Sequence, residues 1–265
     1  MTSVFTAALH CLQASSLDDK IDTTHSAAAA WRQGELLLED DGSTAITAPG
    51  RPTLPELISP RDLPRRKLGD PVGHACLIHA IAHIEFNAID LGWDAVHRFR
   101  DMPRDYYSDW IRVADEEARH FTLLRNHLKT LGYDYGDFPA HNGLWDMAQR
   151  TASDPLVRMA LVPRVLEARG LDVTPGMMKR LRDIGDSRAV EILDVIWHDE
   201  VGHVEIGTRW FRYLCQQRGL EPDSTFAGLI KEYIPERVRG PFDHAMRKQA
   251  GFSEWEIDFL EEYEG

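Results

Sequence analysis

The stretch Asp199-Glu200-Val201-Gly202-His203, inside the run from Asp186 to Gly219, decides how this chain reads. On a helix, residues three apart lie on one face about a turn from each other, so Glu200 and His203 offer a carboxylate and an imidazole side by side. One Glu-x-x-His pair is common by chance. This chain repeats it: Glu116-Glu117-Ala118-Arg119-His120 carries the same acid-Glu-x-x-His order. Each copy follows a helical segment with one well-placed glutamate, Glu85 before the first and Glu167 before the second, at separations of 32 and 33 residues.

Helical periodicity surrounds each pair. Asp70-Pro71 places a capping residue and a proline at a helix start and predicts a helix to about Arg100, with Ile78, Ile81, Ala82, Glu85, Ala88, Ile89 and Val96 on one face. A carboxylate in the middle of an apolar stripe must reach solvent, meet a cation or bind metal, because a buried unpaired charge is costly. A break at Asp101–Pro103 precedes a helix from about Arg104 to Leu131, stopped by Gly132. Its face holds Trp110, Val113, Ala114, Glu117, His120, Phe121, Leu124 and Leu128. So short a connection forces antiparallel neighbours, which puts Glu85 and Glu117 at the same height.

The second half repeats the plan. Residues 133–153 read as a long crossover with a short helix, Asn142–Arg150. Asp154-Pro155 opens a helix to about Arg169, which Pro163 is expected to kink four residues before Glu167. A turn is expected at Thr174-Pro175-Gly176, then a short basic helix, Met177–Arg182. Asp186 caps a last long helix whose face carries Leu193, Ile196, Trp197, Glu200, His203, Val204, Gly207, Phe211 and Leu214, ended by Gly219. The expected fold is all-α: a four-helix bundle of two antiparallel pairs over 70–219. Residues 1–69 form an N-terminal extension, with helices Val4–Gln13 and roughly Leu17–Leu37, then a connector with five prolines from Pro49 to Pro64. Residues 220–265 form a C-terminal extension of two or three short helices, packed on the bundle or on a partner subunit. The sole candidate strand is Thr44–Thr47, and Arg65-Arg66-Lys67 reads as a solvated patch.

Composition narrows the classes. At 265 residues and 43% hydrophobic, the chain can bury a proper core. No apolar run approaches 18 residues, so no membrane span is expected, and Met1–Ser16 lacks the basic start of a signal peptide. Three scattered cysteines (Cys11, Cys76, Cys215) support neither a disulfide framework nor a thiolate zinc site. A reducing cytoplasm is the expected compartment. A net charge of −13 weighs against nucleic-acid binding. No phosphate-cradling glycine loop or nucleophile elbow is present.

Glu85, Glu117, His120, Glu167, Glu200 and His203 together make the ligand set of a dinuclear metal site inside a helical bundle. Four carboxylates nearly neutralise two divalent ions. Mixed nitrogen and oxygen donors with open positions suit iron or manganese, and zinc, possible here, wants four tight ligands. Two iron ions are the expectation, with Fe/Mn or Mn/Mn as alternatives. A metal-bound imidazole needs its other ring nitrogen held. Glu116 and Asp199 are candidates for that, in crossed pairs Asp199–His120 and Glu116–His203. The segment 170–176 is the expected access route, with Arg158, Arg164 and Arg169 as candidate anion anchors for substrate; the blander reading pairs these arginines with surface acids. His79, His83 and His198 read as structural or surface residues. Tyr106, Tyr107, Trp110, Trp197 and Tyr213 read as core side chains rather than electron relays.

The pattern Glu85, Glu117-x-x-His120, Glu167, Glu200-x-x-His203, over about 75–219, resembles the ferritin-like di-iron carboxylate superfamily. That superfamily includes the ribonucleotide reductase small subunit, bacterial monooxygenase hydroxylases, rubrerythrins and the tRNA-modifying hydroxylase. The run from Arg158 to Asp172 looks like a bacterial ferritin-like family of unassigned function, and that likeness extends over most of the chain. The resemblance implies a di-metal centre held by those six residues. The expected function is a di-iron oxidase or oxygenase that uses O2 or peroxide on a small molecule, fed by a separate reductase, in a monomer or homodimer. It does not imply a substrate. The alternatives are hydroxylation of a tRNA base, opposed by the net charge, and non-enzymatic iron binding or storage, opposed by the long extensions at both ends.

Overall fold

A short strand β1 (Thr2–Ser3) leads into helices α1 (Val4–Gln13) and α2 (Leu17–Arg32). Strand β2 (Leu36–Leu37) and two long helices, α3 (Pro71–Arg98) and α4 (Arg104–Thr130), follow. This is the arrangement in the computed structural model, which describes residues 2–39, 42, 46–63, 67–236 and 238–265. With most of α5 (Gly143–Arg150), these elements form a first unit, Met1–Gln149.

Helices α3 and α4 are antiparallel neighbours joined by residues 99–103. Pro71 holds the first turn of α3, but Asp70, although at the cap position, makes no side-chain capping bond. The two helices approach closely at Gly92, where a Cβ would lie 3.0 Å from the Ala114 Cβ. Helix α1 packs on α3, and α2 on α4. A buried ion pair pins α2 to α3: Lys20 Nζ donates to Asp90 Oδ1 at 2.6 Å and to the Leu12 carbonyl at 2.9 Å. The Trp93 indole donates to the Thr24 hydroxyl at 2.9 Å. Such a pair repays its desolvation only with extra hydrogen bonds, and the Leu12 carbonyl supplies one.

One expectation from the sequence fails here. Helix α2 stops at Arg32, and Leu36–Leu37 instead pairs in parallel with Thr2–Ser3, after Gly34 turns the chain at φ 74°. Of the expected strand Thr44–Thr47, Thr44 and Ala45 lie outside the described residues, as do Arg65 and Arg66 of the basic cluster. In the described part of the proline-rich connector, 49–63, regular structure is limited to one tight turn at Pro60–Asp62 and the isolated bridge of Leu57 to Ala140. The connector is tied down by Ile58 N–H donating to the Ala140 carbonyl and Ala140 N–H to the Glu56 carbonyl.

The second unit, Arg150–Gly265, holds the other hairpin. Helix α6 (Pro155–Leu161) passes through a π-helical stretch, Val162–Glu167, into α7 (Ala168–Asp183), and α8 (Ser187–Arg218) returns alongside. Asp154 and Asp186 cap α6 and α8 by accepting from the Leu156 and Ala189 amides, and Gly219 ends α8 in the left-handed conformation. The π-helical stretch falls where Pro163 is expected to interrupt the helix. The turn expected at Thr174-Pro175-Gly176 does not form: Pro175 lies inside α7. Proline cannot donate to the carbonyl four residues back, that of Leu171. The Trp197 indole N–H on α8 supplies that bond instead, at 3.1 Å, so the helix continues.

The short helices α9 (Pro222–Tyr233), α10 (His244–Gln249) and α11 (Glu254–Glu262) complete the chain. Apart from the β1–β2 pair and one isolated bridge, the described regular structure is helical. Among the described residues, no helix is long and apolar enough to cross a membrane, and Cys11, Cys76 and Cys215 are buried free thiols.

Candidate metal centre

Because α3 and α4 run antiparallel, the glutamate in the apolar stripe of α3 meets the Glu-x-x-His pair of α4. Glu85, Glu117 and His120 are 3%, 1% and 0% exposed. His120 Nδ1 lies 3.2 Å from Glu85 Oε2 and 3.3 Å from Glu117 Oε2. Each of the three offers a ligand atom within 4.8 Å of the others. Burial, with the Glu117 charge beside it, pushes the Glu85 carboxyl well above the ordinary carboxylate range, and the contact with His120 offsets only part of that. Two carboxylates and an imidazole held together away from water are the donor set of a divalent cation with a preference for oxygen and nitrogen. This buried cluster could hold a metal ion.

In the second unit, Glu167 closes the π-helical stretch, and Glu200 and His203 lie one turn apart on α8. All three are buried. His203 Nδ1 is 3.7 Å from Glu200 Oε1, beyond hydrogen-bond range. Gly170 leaves room beside the Glu200 side chain, whose Cγ would be 3.9 Å from a Cβ at 170. Continuation of the helix through Ala168 places Glu167 inside a long rod rather than near a helix end. The expected access loop at 170–176 is therefore part of α7.

Glu116 and Asp199 are half-buried. Arg158 is buried and donates to the Thr151 hydroxyl at 2.7 Å. Arg164 is fully buried, donates to Glu256 Oε1 at 2.7 Å, and sits 4.7, 4.3 and 4.4 Å from the rings of Phe211, Phe226 and Phe252. Neither matches the surface pairing of the blander reading. Arg169 is partly exposed and donates to the Pro241 and Gly240 carbonyls. Tyr106, Tyr107 and Trp110 are core side chains, Trp197 and Tyr213 are only half-buried, and His198 is exposed.

His83 and His79 are buried in the first unit. His83 Nε2 donates to the His141 carbonyl at 3.0 Å, and the Tyr135 hydroxyl donates to Nδ1 at 2.7 Å. Burial lowers its pKa to about 4. A polar network around His83 escaped the sequence reading: Arg51 donates to Asn87 Oδ1 at 2.6 Å and to Asn142 Oδ1 at 2.7 Å. Only the i,i+4 spacing of His83 and Asn87 hinted at it.

The class defined by fold and site is an all-helical protein with a buried carboxylate–imidazole cluster. The family described as Protein of unknown function (DUF455) matches residues 13–258, and the chain belongs to it. The chain is similar to an uncharacterized protein of Haemophilus influenzae, 49% identical over 220 residues that cover 80% of this chain and 76% of the relative. No solved structure matches it.

Proposed function

We propose that Glu85, Glu117 and His120 of the first unit and Glu167, Glu200 and His203 of the second hold one dinuclear metal centre in a ferritin-like four-helix bundle, and that the protein is a di-iron oxidase or oxygenase acting on a small molecule. The observation that carries this reading is His120 Nδ1 set against two buried carboxylates from neighbouring helices. The second Glu-x-x-His pair and its preceding glutamate repeat the same donors, as a two-ion site requires.

Charge supports the number of ions. Four carboxylates offset two divalent cations, so the loaded site carries little net charge into a dry interior. Iron is the first choice and manganese the second, because the donors are nitrogen and oxygen without thiolate. When bound, two ferrous ions would supply two electrons for reduction of O2 or peroxide. The chain's own side chains hold the ions, keep bulk water away and fix the imidazoles. Glu116 and Asp199 are proposed to accept the second ring N–H of the histidine contributed by the opposite unit. Further electrons would come from a separate reductase, in the cytoplasm.

The test is metal analysis of protein grown in iron-rich medium, then visible spectroscopy after oxygen is added to the ferrous form. About two iron ions per chain and a new absorption band are expected. Iron retained unchanged by His120→Ala would overturn the assignment.

A further inference from the structure

Outside the metal centre, the first unit contains a cavity of about 330 Å³ whose wall includes Arg51, Pro55, Leu57, His83, Phe86 and Tyr135. Its volume lies at the small end of the range for small-molecule sites. The apolar part of the wall comes from the proline-rich connector and from Phe86 on α3.

The polar part is organised around one cation. Arg51 Nη1 donates to Asn142 Oδ1 and Nη2 to Asn87 Oδ1. Both amides are held in the orientation that presents oxygen: Asn87 Nδ2 donates to the His83 carbonyl at 2.7 Å, and Asn142 Nδ2 to Asp146 Oδ1 at 2.7 Å. The guanidinium is thus fixed by neutral acceptors. Among the described residues, no carboxylate forms an ion pair with it, and Glu56, also in the wall, is exposed. Of the five N–H donors of a guanidinium, two are used by the amides, and Nε is buried with no acceptor. The His83 and Tyr135 polar atoms are engaged with each other and with the His141 carbonyl. An oriented cation with spare donors beside apolar carbon matches an anion that carries a hydrocarbon body.

We infer that this cavity binds a small monocarboxylate, its carboxylate paired with Arg51 and its apolar body against Pro55, Leu57 and Phe86. The planar fork of arginine suits a carboxylate, taken two-pronged, and the apolar wall disfavours a bare hydrated phosphate. The cavity lies within the first unit alone, and its lining does not include the proposed metal ligands.

The probe is benzoate, titrated calorimetrically into the full chain as purified and after treatment with a chelator, with benzyl alcohol and inorganic phosphate as comparisons. Benzoate is expected to bind about tenfold or more tightly than either comparison, equally in both preparations, because a charge-assisted pair distinguishes it from the alcohol. Arg51→Gln is expected to lose about tenfold in benzoate affinity. Leu57→Glu places a negative charge in the wall at a position already 43% exposed, so it keeps the fold, and it too is expected to weaken benzoate about tenfold. Benzoate binding no tighter than benzyl alcohol or phosphate, binding that disappears on chelation, or full affinity in folded Leu57→Glu would each overturn the proposal.

Discussion

Gly207 on α8 lies directly against the ring of Pro163: a Cβ at 207 would fall 2.4 Å from Pro163 Cγ and 2.5 Å from its Cβ. The π-helical stretch that ends at Glu167 is therefore seated on the one kind of residue that leaves space for a proline ring. Helix α8 loses helix propensity at a glycine in exchange for that approach.

Gly207→Ala is expected to destabilise the protein by about 2 kcal/mol, despite alanine's better helix propensity, because the added carbon overpacks a rigid ring. A Cβ at Gly202, on the same helix, would meet nothing within 4 Å, so Gly202→Ala should be neutral or stabilising by up to about 1 kcal/mol. Urea midpoints decide; equal effects of the two changes would show that the Pro163 contact does not govern.

Glu85 and Glu117 press two carboxylates on one imidazole in a buried place. Without metal that charge is a burden, so Glu85→Gln in chelator-treated protein should melt at or above the wild-type temperature. With iron the order should reverse. A ligand at about 1,000 times its Kd adds about 4 kcal/mol to the form that binds it, and the variant would forgo much of that. Melting curves with and without ferrous iron test both signs.

Arg164 and Glu256 form a fully buried pair between the π-helical stretch and α11. Removal of one partner strands the other charge, at a cost of about 3–5 kcal/mol. Glu256→Leu alone should show that loss. Arg164→Met with Glu256→Leu should cost less than the two single changes added together, since the double variant buries no unpaired charge. Strict additivity in a urea double-mutant cycle would contradict the pairing.

Acid should weaken the second unit through Asp154. Burial raises this carboxyl, but the two-pronged bond from Arg218 at 2.7 and 2.8 Å and the Leu156 amide outweigh it, and the net value falls below the usual 3.8. The folded protein therefore holds the proton less readily than the unfolded chain. The stabilisation is complete above the unfolded value and fades as pH falls through the lowered folded one. Asp154→Asn should be less stable than wild type near pH 7, with the gap narrowing in urea titrations as pH drops below about 4.

Much of this was legible in the residues themselves. The ends of α3, α4 and α8, the Asp154 and Asp186 caps and the stop at Gly219 follow from period, capping chemistry and glycine, all local signals. The meeting of Glu85 with Glu117 and His120 follows from i,i+3 spacing and a connection too short for anything but an antiparallel hairpin. The tertiary structure alone decided the rest. Pro175 remains helical because an indole 22 residues along the chain satisfies the carbonyl it leaves open. Arg164 is buried because Glu256, 92 residues away, neutralises it. Arg51 faces a cavity because Asn87 and Asn142 hold it there. Periodicity and caps are written between neighbours in sequence; these hydrogen bonds join residues whose proximity exists only once the chain has folded.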